Sequence, residues 1–135
     1  MYDKILVPVT PEHSTTIERS LLAARALLSP GGRITVMTVL EPIPGYVAQY
    51  LPLDQIDRNR METEAELSAE FQGQSDIEIL VETGHAAQMI LEVAARDGHD
   101  CIIIASHKPG LQDYLLGSTA ARVVRHAHCG VHVLR

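Results

Sequence analysis

The segment richest in chemistry runs from Ala105 to Thr119, with the sequence Ala-Ser-His-Lys-Pro-Gly-Leu-Gln-Asp-Tyr-Leu-Leu-Gly-Ser-Thr. An apolar run ends at Ala105, a polar loop follows, and Gly117-Ser118-Thr119 opens a helical pattern. A glycine at 117 lets backbone N–H groups come close to a bound group. Ser118 and Thr119 add hydroxyl donors, and the N-terminus of a helix adds partial positive charge. Such a cradle suits phosphate oxygens. Lys108 would add a cation, and His107 would contact a sugar or phosphate. The same Gly-Ser also reads as a helix start capped by Ser118 with nothing bound, and the local pattern leaves both readings open.

Other constellations are weaker. His126-x-His128-Cys129-x-x-His132 places zinc-type ligands within seven residues, but it straddles a helix end and a strand start. Histidines at a helix C-terminus are already explained by the helix dipole. Cys101 and Cys129 fall at the starts of neighbouring strands, as a reduced pair or a redox-responsive disulfide. Thr10, Ser14, Thr15 and Thr16 are similar to the hydroxyl-rich phosphate loops of flavin carriers, but few aromatics stand near to flank a flavin ring. There is no Gly-x-Ser-x-Gly elbow and no Walker lysine motif. Enzymatic activity is left as uncertain.

Five short Val/Ile-rich runs must position these groups: Ile5–Val9, Ile34–Leu40, Ile77–Val81, Cys101–Ala105 and Val131–Leu134. Near-continuous apolarity in short runs is how strands buried on both faces read, and it points to a parallel sheet. Between them lie helical patterns at Ser14–Leu28, Asp54–Phe71, Ala86–Ala95 and Thr119–Ala127. In the first, Ile17, Leu21, Ala24 and Leu28 share one face. In the second, Arg58 with Glu62 and Arg60 with Glu64 have i,i+4 spacing. Gly98 suits a helix stop. The alternation predicts an α/β fold, an open five-stranded parallel sheet with helices on both faces. Ligands in such sheets sit beyond the carboxyl ends of the strands, where strand order reverses. The residues after Val9, Leu40, Val81 and Ala105 are therefore the ones to read. After the second run, Glu41–Leu53 is a long loop rich in Pro and Gly.

The 135 residues suit one domain, 1–135. The chain is 46% apolar and 21% charged, a globular balance. Its net charge of −6 comes without a basic stripe, which argues against nucleic acid as partner. No apolar run is long enough to span a bilayer and no signal-peptide core is visible, so a membrane is not expected and a cytoplasmic location is. Two cysteines without CxxC spacing agree with a reducing compartment.

Taken together, Tyr2-Asp3-Lys4-Ile5-Leu6-Val7-Pro8-Val9, Thr83-Gly84, Asp100–Ala105, and Leu115-Leu116-Gly117-Ser118 through Val123-Val124-Arg125-His126-Ala127-His128-Cys129 resemble a universal stress protein over nearly the whole chain. The resemblance implies a Rossmann-like sheet of order 3-2-1-4-5 that binds an adenine nucleotide and dimerises through its last strand. That strand would place Val131, His132, Val133 and Leu134 in the interface, where a histidine makes association pH-dependent. Carried over by position, Pro8, Val9 and Thr10 would stand beside base and ribose and Val39 against the adenine. Ile104, Ala105, His107 and Lys108 would line ribose and phosphates, and Gly117, Ser118, Thr119 and Ala120 would hold the phosphate tail.

The chain departs from the family's Gly-x2-Gly-x9-Gly-Ser/Thr signature: Ala105 and Lys108 stand at the first two glycines, while Gly117-Ser118 is intact. It also has Thr10-Pro11-Glu12 where the family has Asp-Gly-Ser. The expected function is a homodimeric stress-response sensor or regulator that binds ATP, ADP or AMP, with or without Mg²⁺, and acts on a further regulatory protein. The alternative is an interaction protein of the same fold with a vestigial site.

Overall fold

Apolar strand residues that alternate between two faces need cover on both, and the helices supply it. A computed structural model describes residues 1–10, 14–106 and 116–135. In chain order the elements are β1 (Tyr2–Pro8), α1 (Ser14–Leu27), β2 (Leu28–Leu40), α2 (Gly45–Ala48), α3 (Gln55–Glu70), β3 (Ile77–Thr83), α4 (Ala86–Arg96), β4 (Cys101–Ala105), α5 (Ser118–His126) and β5 (Gly130–Leu134). The strands form one sheet in the order β3-β2-β1-β4-β5. Every pairing is parallel.

Ile5 and Val7 of β1, with Cys101 and Ile103 of β4, pack against Ile17, Leu21 and Ala24 of α1 and Leu67 of α3. Leu6, Ile102 and Ile104 point the other way, onto Ile90, Val93 and Ala94 of α4 and Ala120 and Val123 of α5. Burying each such side chain stabilises the fold by about 1.5–3 kcal/mol, so the sheet centre around β1 and β4 is its most strongly held part.

Three expectations need correction. Leu28 is not the last residue of α1: it pairs opposite Tyr2 as the first residue of β2, after which the register jumps so that Arg33 stands opposite Lys4. The extra residues include Gly31 at φ +81°, which a side chain would strain. Arg58 does not pair forward with Glu62; its Nε lies 3.2 Å from Asp54, whose charge also favours the N-terminal end of α3. The long loop after β2 is interrupted by the single turn α2. Gly98, at φ +72°, ends α4 as expected, with His99 N–H donating to the Ala94 carbonyl at 2.9 Å.

At the amino edge of the sheet, polar groups tie the strands together. The Asp100 carboxylate accepts the backbone N–H groups of Asp3 at 2.9 Å and Lys4 at 3.0 Å. Lys4 Nζ donates to the Asp97 carbonyl at 2.6 Å. Buried His99 has Nε2 3.1 Å from Thr35 Oγ1, while its Nδ1 has no partner among the described residues.

Candidate functional site

At the opposite, carboxyl edge, the chain leaves β1 and is held close to β2. Val9 N–H donates to the Met37 carbonyl at 2.8 Å, and Thr38 Oγ1 donates to the Val9 carbonyl at 3.2 Å. On the other side of β1, Ser106 N–H donates to the Leu134 carbonyl at 2.7 Å and Gly117 N–H to the Ser106 carbonyl at 2.5 Å. The second bond brings the start of α5 back to the end of β4. Strand order reverses between β1 and β4, so the two exits diverge and leave a cleft between them. Its volume is about 450 Å³, within the range of small-molecule sites.

Pro8, Val9, Thr10, Val39, Ile104, Ala105, Gly117, Ser118, Thr119 and Ala120 all line this cleft. The local pattern had named Gly117, Ser118 and Thr119, and the family resemblance the others. His107 and Lys108 lie outside the described residues. Ser118 is not the N-cap of α5. Gly117 is, in an extended conformation (φ −58°, ψ 153°), and Ser118 is the first helical residue. An N-cap must be non-helical, and Gly117 meets that condition one residue earlier.

Among the described residues no side chain caps the start of α5. Its first intrahelical bond runs from Ala121 N–H to the Gly117 carbonyl, at 2.8 Å. The N–H groups of Ser118, Thr119 and Ala120 therefore lack intrahelical acceptors. Three donors with the dipole's positive end behind them can hold an anion. Opposite, Val39, Met37, Ile90 and Ile104 give the cleft an apolar wall. It can thus take a ligand with a flat apolar part and an anionic tail.

The comparisons with known proteins agree with this architecture. The universal stress protein family description matches residues 1–135. The chain is 30% identical to Universal stress protein G of Shigella flexneri, over all of both chains. It belongs to the universal stress protein family. Two solved structures share the fold. Universal stress protein UspA from Lactobacillus plantarum superposes with a TM-score of 0.72 at 20% identity, covering 99% of this chain and 98% of that one. A universal stress protein in complex with cAMP superposes with a TM-score of 0.61 at 20% identity, covering 99% and 97%.

Within this universal stress protein, the pattern-based reading missed part of the cleft. Ile17 and Ser20 of α1 and Ala86 and Ile90 of α4 also line it, together with Thr16 and Glu41, which the sequence singled out only as part of a hydroxyl-rich segment and of the loop after Leu40. The i,i+4 spacing of Thr16 with Ser20 and of Ala86 with Ile90 was the available signal. Glu41 continues the every-second-residue series from Met37 and Val39. It is the one charged side chain among the described lining residues, and it is an anion.

The remaining candidates lie elsewhere. Among the described residues no three His, Cys, Asp or Glu side chains converge on a metal position. Both cysteines are free. Cys101 packs into the α1/α3 side of the sheet and Cys129 against the α4/α5 side. Burial pushes the Cys101 thiol up to about 11 and raises that of Cys129 as well. Val131, His132, Val133 and Leu134 lie on β5 at the sheet's edge, with His132 exposed.

Proposed function

We propose that this protein binds an adenine nucleotide, ATP, ADP or AMP, in the cleft between the β1 and β4 exits and acts as a homodimeric stress-response regulator. The observation that carries the reading is the uncapped start of α5, whose free N–H groups at Ser118–Ala120 face a cleft with an apolar wall. Phosphates would sit on those donors and the base against Val39. The likeness to a family member in complex with cAMP lends support, since that ligand has the same base and an anionic phosphate. Mg²⁺, where present, would be carried on the nucleotide's own phosphate oxygens. Occupancy would alter the surface offered to a partner protein around the cleft mouth. The free edge of β5 is where a second copy would add its own last strand, with Val131, His132, Val133 and Leu134 at the contact.

The test begins with gently purified protein, denatured and assayed by chromatography for released nucleotide, followed by calorimetric titration of the emptied protein with ATP. Gly117→Val is the matched variant. The backbone at 117 is open to any residue, so the fold should persist while the side chain crowds the N–H cradle and abolishes binding. No released nucleotide and no heat at millimolar ATP would refute the reading. They would favour the interaction protein with a vestigial site, in keeping with Ala105 and Lys108 at the signature glycines.

A further inference from the structure

β5 forms one edge of the sheet, and its hydrogen bonds fix which of its residues face outward. Gly130 N–H donates to the Asp100 carbonyl at 3.2 Å, and the Leu134 carbonyl accepts the Ser106 N–H at 2.7 Å. Both residues thus turn backbone groups toward β4. Their alternates, Val131 and Val133, turn N–H and C=O to the open edge. The side chains of Val131 and Val133 pack on the α4/α5 side of the sheet. His132 stands opposite Ile103, which packs on the α1/α3 side, so its imidazole lies on that side, and it is exposed.

We infer that the edge-to-edge dimer holds a divalent transition metal between its two His132 side chains. The inference rests on the homodimer proposed above and deepens it. Two identical edges that meet about a two-fold axis run antiparallel. With the axis on His132, the middle of the strand, Val131 of each copy exchanges both backbone hydrogen bonds with Val133 of the other. One step of slip in either direction is worse. It would pair Val131 with Arg135, whose carbonyl already accepts Arg19 Nη2 at 2.7 Å, or Val133 with Cys129, which precedes the strand. In the centred register the two His132 residues form the non-hydrogen-bonded pair, with Cα atoms about 4.5 Å apart and side chains on one face. Imidazole nitrogens bind Zn²⁺, Ni²⁺ or Cu²⁺ at about 2 Å, so one ion can bridge two such rings. Water completes the coordination from the exposed side, which makes the site labile. One copy supplies a single ligand here, and among its described residues no group of three ligands gathers elsewhere. Metal binding and association therefore strengthen each other.

The test measures self-association of the full chain by sedimentation, in Zn²⁺ and in EDTA, with bound zinc counted after dialysis. Wild type should bind one Zn²⁺ per two chains, and zinc should tighten the dimer about tenfold or more. His132→Gln, at an exposed position, should fold, still dimerise in EDTA and lose the zinc response. A double variant, His126→Gln with His128→Gln, removes two other exposed imidazoles and should keep it. A dimer that ignores zinc, or a zinc response that survives His132→Gln, would overturn the inference and leave the dimer reading intact. A chain that stays monomeric in both conditions overturns both.

Discussion

Asp100 offers the sharpest test of how the cleft is held in place from the far edge of the sheet. Its two carboxylate oxygens each accept one backbone N–H, from Asp3 and Lys4. Its own N–H donates to the Lys4 carbonyl, and its carbonyl accepts the Gly130 N–H. The residue therefore joins β1, β4 and β5 where the β1–β4 ladder is short, with register partners only at Ile5–Cys101 and Leu6–Ile102. Hydrogen bonds to a charged acceptor contribute about 1.5–3 kcal/mol each. The side chain is only partly buried, so solvent screening brings the pair down to about 2 kcal/mol in total. Asp100→Ala should lose about that much, and Asp100→Asn, which keeps one good acceptor, about 1 kcal/mol. For a chain of this size the alanine variant should melt roughly 6–10 °C lower.

The pH dependence adds a second readout. Burial pushes the Asp100 carboxyl up, but the hydrogen bonds from Asp3, Lys4 and its own backbone outweigh it and hold the group below the usual carboxylate value. A depressed carboxylate contributes stability above its unfolded pKa, and that contribution is lost as pH falls through the folded value. The gap between wild type and Asp100→Ala, measured by urea denaturation, should therefore narrow in acid. An alanine variant within 0.5 kcal/mol of wild type at neutral pH, the ordinary scatter of surface changes, would refute the reasoning. So would a gap that persists unchanged below the carboxylate's titration.

Two further outcomes follow from buried groups. Burial, with a smaller push from Lys4, lowers the pKa of His99, so the unfolded chain takes up a proton before the folded one. Its contribution is full above about 6.5 and is lost as pH falls toward the folded value. Urea midpoints should drop between pH 7.5 and 5.5, and His99→Gln should flatten that slope; a midpoint that rises in acid would contradict it. The thiol of Cys101 should resist a colorimetric thiol reagent at neutral pH until the protein is unfolded, and prompt labelling of the native protein would show the burial to be wrong.

The parts of the fold visible in the sequence are those encoded locally. Apolar runs such as Ile34–Leu40 mark strands because both faces of a central parallel strand are buried, and Gly98 marks a helix stop because its positive φ is a local demand. The start of β2 was hidden. Ser29-Pro30-Gly31-Gly32 reads as a breaker, and only pairing with distant β1 draws Leu28 into the sheet. The cleft divides in the same way. Residues at strand exits and at the Gly117-Ser118 helix start were legible, since topology alone sends them to the carboxyl edge. Ser20, Ala86 and Ile90 were not, because which helix face reaches the cleft depends on how α1 and α4 pack. The Asp100 tie was invisible for a stronger reason: its partners are nearly a hundred residues away in sequence.

The two edges of the sheet treat their backbone donors in opposite ways, and that contrast bears on how an acidic chain can hold an anion. At the amino edge the N–H groups of Asp3 and Lys4 are taken up by Asp100 and the Lys4 ammonium by a carbonyl. At the carboxyl edge a side-chain cap on α5 would be the more stable arrangement, by roughly a few tenths of a kcal/mol, yet a glycine occupies the N-cap position. With a net charge of −6 and Glu41 as the charged side chain among the described lining residues, the long-range field works against an anionic ligand. What remains is short-range: oriented N–H dipoles that act within a turn of the helix and are little affected by charges a Debye length away. A site built this way discriminates by shape and donor geometry more than by charge. For the proposed nucleotide, that leaves selectivity to the apolar wall and to the geometry of the N–H groups.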